Sequence, residues 1–252
     1  MITLEIQSIL FIIARITAFI AVVPGLSNKN IPNISKVALS LVLSWVVYIS
    51  IPETPVYTNV LLFAIAAGRE VLLGLSMGYI VKLVFSGIEM AGQLIDYQVG
   101  YTMGAIYDPA SGTASAYYGK LFHWLSILTF FMMDFHHALL LALMNSFRVI
   151  AAGQIGFENI KLEGILYLFI YSFKIALCLA APVIIVLLVS DIVMGMLSRT
   201  VPQLNVFMLG MPLKSLVCMV MVLMIITSLM SSVGNSLGLV EDFMQKAIEM
   251  FR

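Results

Sequence analysis

The chain has 252 residues, of which 62% are hydrophobic and 10% charged, with a formal net charge of zero. Soluble domains run at about 45–50% apolar and about 25% charged residues, so this composition, with a mean hydropathy of +1.07, excludes a soluble globular protein and makes membrane lipid a partner. Zero net charge excludes nucleic acid, which calls for a basic patch. Cys178 and Cys218, each inside an apolar run, read as small buried hydrophobes and build no disulfide framework or metal cluster.

A membrane span needs ~20 mostly apolar residues. The first candidate covers residues 4–23. Glu5 near its start, Arg15 inside the run and the lack of a small-residue cleavage site mark it as a retained span and not a cleaved leader. A turn over 24–36 leads to a short span at 37–51, and a second turn over 52–59 leads to a span at 60–85. Residues 86–120 form the long connection. Its first part is helical, since Glu89, Gln93, Asp96 and Gly100 recur at helical spacing as one polar stripe. Spans at 121–147, 165–190 and 213–233 follow, with a polar interlude at 197–212 and an amphipathic tail at 241–252. Arg15, Arg69, Glu70, Lys82, Asp134 and Lys174 fall inside apolar segments, where charges face a bundle interior, a partner or a water-filled path.

Residues 99–119, VGYTMGAIYDPASGTASAYYG, interrupt this pattern. Pro109, the clustered small residues and Asp108 rule out a span, while four tyrosines and a low charge rule out a solvated tail. Irregular backbone survives at membrane depth only where protein buries it or where it lines a cavity. The segment therefore closes or lines a passage.

Three motifs compete with that reading. Gly74-Leu75-Ser76-Met77-Gly78 fits G-x-S-x-G, but that elbow needs a strand-to-helix turn and here lies mid-span. The same residues satisfy G-x-x-x-G, the spacing that lets helices approach closely, and packing is the better reading. Gly100–Gly104 and Gly234–Gly238 repeat the spacing. His136 and His137 are adjacent, so on a helix they point ~100° apart and do not favour a shared metal; no metal or other cofactor is expected. Arg69 and Glu70, also adjacent, need partners on another helix. A charge relay through Arg69, Glu70 and Asp191 would make the chain a secondary transporter, the alternative function. An intramembrane hydrolase around Ser76 is the weakest option.

The run Ser198–Lys214, SRTVPQLNVFMLGMPLK, resembles the signature of the FliR family of flagellar export-gate proteins, related to the R/T-type subunits of virulence type III secretion systems. Arg15 with Pro24, Glu70 with Gly74 and Gly78, Gly92 with Asp96 and Gly100, and Asp108-Pro109 with Gly112 extend the resemblance over nearly the whole chain. It implies an all-α membrane protein of bent helical hairpins, assembled into a helical multi-subunit export gate. Residues 1–160 would be similar to the P-type subunit and 161–252 to the Q-type subunit. The expected function is to form and plug the pore for unfolded flagellar proteins, without catalysis, in the bacterial inner membrane within the flagellar basal body. The plug would fall on Gly100, Met103, Gly104, Tyr107, Asp108, Pro109 and Gly112. Arg199, Pro202, Gln203, Asn205 and Phe207 would lie at the cytoplasmic entrance near the switch-type export subunit. Arg69, Glu70, Glu89 and Asp96 would meet charges of neighbouring subunits.

Overall fold

The computed structural model describes residues 2–28, 31–50, 57–102, 117–155, 162–200 and 206–250, all of whose regular elements are helices. In chain order these are α1 (Ile2–Val22), α2 (Asn33–Ser50), α3 (Val60–Val99), α4 (Tyr117–Met132), α5 (Phe135–Val149), α6 (Leu162–Thr200) and α7 (Val206–Met250). The chain is an all-α membrane protein. Among the described residues, four helices are long and apolar enough to cross a bilayer, or five if the bent α4–α5 pair makes one crossing. Six were expected. The apolar stretch of α1, Ile6–Val22, is the short one.

Several expected boundaries disappear. The third span and the polar stripe after it form one helix, α3, of 40 residues. At 1.5 Å per residue that is ~60 Å of helix, about twice the ~30 Å hydrocarbon layer. The interlude at 197–212 is largely helical, because α6 runs to Thr200 and α7 starts at Val206 with Pro212 inside it. The tail is likewise the end of α7. Apolar surroundings supply no water to compete for backbone groups, so helix persists where composition alone suggests a break. Conversely, the expected single span at 121–147 breaks into α4 and α5 with a 72° bend. At the corner Asp134 takes φ 56°, ψ 23°, a left-handed conformation that Asp tolerates better than most side chains.

Two compact units result, each discontinuous in sequence: Met1–Val84 with Phe130–Phe169 and Leu237–Arg252, and Phe85–Thr129 with Ile170–Ser236. Packing therefore does not divide at residue 160. In the first unit α1 packs on α2, and the N-terminal part of α3 lies hard against α1. A Cβ on Gly74 would overlap the Arg15 carbonyl oxygen, and one on Gly78 would sit 3.0 Å from that of Phe19. The G-x-x-x-G of the sequence is thus a helix contact. Around it Phe11, Ile16, Phe19, Leu73 and Met77 are fully buried.

α2 is inside out relative to a soluble helix. Its buried residues are Ser40, Ser44 and Val47, while Val42, Trp45 and Ile49 are exposed. The inward hydroxyls satisfy themselves locally, Ser44 on the Ser40 carbonyl at 2.6 Å and Ser40 on that of Val37 at 2.8 Å. Small residues inside and large apolar ones outside is the arrangement lipid selects. Exposed Leu177, Ile185 and Ile192 on α6, and Leu216, Met219 and Met224 on α7, repeat it. Cys178, expected to be buried, is exposed; Cys218 is buried as expected.

Candidate functional site

The second unit holds the two ends of the 101–116 segment. α3 ends on Gly100, whose φ of 99° belongs to the left-handed region that glycine enters without cost. The N–H of Tyr101 donates to the Asp96 carbonyl at 3.1 Å and that of Gly100 to the Tyr97 carbonyl at 3.2 Å, a Schellman stop. At the other end α4 begins at Tyr117 with no acidic residue in its first turn. Its orphan donors reach across to α3: the N–H groups of Tyr118 and Gly119 donate to Asp96 Oδ1 at 3.0 Å and Oδ2 at 2.9 Å. Asp96, fully buried, is thus an N-cap supplied by a different helix.

Contact this close needs a small residue one turn back. A Cβ on Gly92 would overlap the Tyr118 carbonyl. Tyrosines close the rest of the base, Tyr101 stacking on Tyr118 at 6.2 Å and meeting Tyr117 edge-on at 5.2 Å. The Tyr101 and Ser215 hydroxyls share a hydrogen bond of 2.5 Å. Beside it Lys214 of α7 pairs with Asp191 of α6 at 2.5 Å, and Gln98 of α3 donates to the same carboxylate at 3.1 Å. The end of α3 is therefore tied to α4, α6 and α7 by polar contacts.

The first unit contains a second, sealed polar node. Arg15 and Glu70 are both 0% exposed and meet at 2.6 Å through Nε and 3.2 Å through Nη2. Arg15 also donates to Ser146 Oγ at 3.1 Å and the Ile150 carbonyl at 3.3 Å, with its guanidinium 4.0 Å from the Phe147 ring centroid. Glu70 accepts the Gly153 N–H at 2.7 Å. Buried charge is tolerable only when so completely paired.

Of the residues expected to plug a pore, Gly100 is the helix stop just described. Met103, Gly104, Tyr107, Asp108, Pro109 and Gly112 lie outside the described residues. Arg199 is exposed in the last turn of α6; Pro202, Gln203 and Asn205 lie outside the described residues, and Phe207 is in the first turn of α7. The four charges expected to meet other subunits have partners in this chain: Glu70 as above, Asp96 at the α4 N-terminus, Arg69 with the Ile155 carbonyl at 3.1 Å, and Glu89 with His123 at 3.4 Å. Sequence reading singled out Gly92 with Asp96, and the tyrosines of 99–119, but did not join them to Gln98, Lys214 and Ser215 as one base. The four-residue interval from Gly92 to Asp96, small residue then acid on one helix face, is the signal that pointed there.

The Ser76 hydroxyl donates to the Leu73 carbonyl at 2.8 Å within its own helix. Ser76→Ala should change stability by less than ~0.5 kcal/mol, read by thermal unfolding in detergent.

A family model described as bacterial export proteins, family 1, matches residues 6–239. The chain belongs to this family. Among similar proteins, the flagellar biosynthetic protein FliR of Bacillus subtilis is 29% identical over 245 residues, covering 96% of this chain and 94% of the relative. FliR of Aquifex aeolicus is 31% identical over 222 residues, 86% of each chain. The Yop proteins translocation protein T of Yersinia pestis is 26% identical over 244 residues, 92% of this chain and 90% of the relative. Likeness to both groups agrees with the resemblance read from residues 198–214.

Proposed function

We propose that this chain is a membrane component of the flagellar protein export apparatus, and that its 101–116 segment closes the passage for unfolded substrates when the apparatus is idle. Membership of the bacterial export family and the names of its flagellar relatives support the first part. The observation that carries the second is the double use of Asp96: its carbonyl ends the helix before the segment, and its carboxylate starts the helix after it. A closure over a shapeless substrate needs fixed ends and a compliant middle, and the sequence between the two ends carries Gly104 and Gly112, the residue type with the least restricted backbone dihedral angles.

The chain acts as a conduit and not as an enzyme, in the bacterial inner membrane within the flagellar basal body. It joins P-type and Q-type subunits, its first 160 residues built like the former and residues 161–252 like the latter. The run from Arg199 to Phe207 meets the switch-type subunit at the cytoplasmic entrance. A charge relay is the poorer reading, because Glu70 is sealed against Arg15 and Asp191 is paired with Lys214.

The test is deletion of residues 104–112 in the assembled complex. Membranes carrying the deletion should leak small ions where wild-type membranes do not. Unchanged leakage, with assembly verified by co-purification, overturns the closure.

A further inference from the structure

We propose that Asp134, His136 and His137, at the corner between α4 and α5, form a binding site for a divalent first-row transition metal of the zinc class. Adjacent histidines on a regular helix diverge by ~100°, which argues against a shared ion. The side chains answer that objection: both imidazoles sit in the first turn of α5, which begins at Phe135, and turn toward each other with ring centroids 4.3 Å apart. Asp134 Oδ1 lies 3.9 Å from His136 Nε2 and 3.9 Å from His137 Nδ1. One ligand atom from each residue falls within 4.8 Å of the others. Ligands of one zinc ion, each at ~2.0–2.1 Å from it, stand closer together than this, so a small rotation of exposed side chains completes the set.

Two features of the backbone favour a role for the carboxylate beyond helix capping. Asp is among the best N-cap residues, yet Asp134 makes no capping hydrogen bond from its side chain and takes a left-handed conformation at φ 56°. Its oxygen faces the two imidazoles instead. The positive end of the α5 dipole opposes a cation there, and the carboxylate charge offsets it.

Two imidazoles and one carboxylate are a donor set for zinc, copper, nickel or iron, and not for magnesium or calcium, which prefer oxygen. Three protein ligands leave coordination positions for water. Asp134 is 73% and His137 69% exposed, which gives an ion access, and the buried Nδ1 of His136 leaves Nε2 as its reachable nitrogen. That Nδ1 has no hydrogen-bond partner among the described residues. Loss of such an outer hydrogen bond lowers metal affinity by about 10–100-fold, so binding should be moderate and reversible. Ligation would tie the residue before α5 to its first turn and fix the corner.

The experiment uses the full-length chain without a polyhistidine tag, in detergent, titrated with Cu(II) and read by electron paramagnetic resonance. Wild type should bind about one ion with coupling to two imidazole nitrogens, displaced by added Zn(II). His136→Gln/His137→Gln should abolish that signal and Asp134→Asn should weaken binding at least tenfold, while His123→Gln leaves it unchanged. His137→Gln alone, at an exposed position, guards against misfolding and should drop the coupling to a single nitrogen with helicity unchanged. Binding that survives the double variant, or no two-nitrogen signal in wild type, overturns the site.

Discussion

Glu70→Ala should destabilise the chain by about 3–5 kcal/mol, the range for removing one partner of a buried ion pair. The cost comes from what remains. Arg15 keeps its charge at 0% exposure but loses the carboxylate that takes its Nε and Nη2 donors, and Gly153 loses the acceptor for its N–H. Three separate segments meet at this node, α1 through Arg15, α3 through Glu70, and the end of α5 with its following turn through Ser146, Ile150 and Gly153. Denaturant unfolding in detergent should read the loss directly, and the amount of intact chain in membranes should fall with it. Replacing both charges, Arg15→Met with Glu70→Leu, should be milder than Glu70→Ala alone, because an apolar pair carries no stranded charge. A single-variant loss below ~0.5 kcal/mol, the scale of a neutral surface change, would refute the role of the node.

The second large effect belongs to Asp96. Asp96→Ala removes the acceptor of two buried N–H groups, each costing ~1–3 kcal/mol when left unsatisfied. The α4 N-terminus should then part from α3, and the segment between them should lose one anchored end. A cysteine introduced at Ser111 offers a readout. Its labelling by a water-soluble maleimide in the assembled complex should rise at least tenfold, the factor that ~1.4 kcal/mol provides. Asp96→Asn should fall between, since one amide oxygen serves a single N–H. Glu89→Ala, on the same helix, should hardly matter, because its pairing with His123 is half exposed and such pairs contribute ~0–1 kcal/mol. Equal labelling in the Asp96 and Glu89 variants would contradict the capping role.

These two sites show what sequence makes legible and what it hides. The G-x-x-x-G at Gly74 and Gly78 was readable because close approach depends on residue size and helical spacing, both local. The polar stripe was readable as a stripe, but not in its parts. Glu89, Gln93 and Asp96 share a period, yet Gln93 is exposed while Asp96 is fully buried under the start of α4. Periodicity assigns a face and not what covers it. The partner of Glu70 was hidden for a similar reason: Arg15 lies 55 positions away, and no local pattern names it. Composition marks 197–212 as a polar interlude, yet α6 runs to Thr200 and α7 starts at Val206, because polar side chains on a helix do not by themselves end it. The break at Asp134 showed in the sequence only as an acid beside two histidines in an apolar run, and nothing there marks its left-handed dihedral angles.

Asp96 also bears on how the molecule would take a pull. In the export role proposed above, a substrate threading past the 101–116 segment would drag on it, and the drag would reach the described helices through residues 101 and 117. Both attachment points converge on one residue, Asp96, so load arriving from either end would be borne at the same position of α3. Insertions or deletions inside the segment would change its reach without altering where the load is carried, and the helices need not register its length.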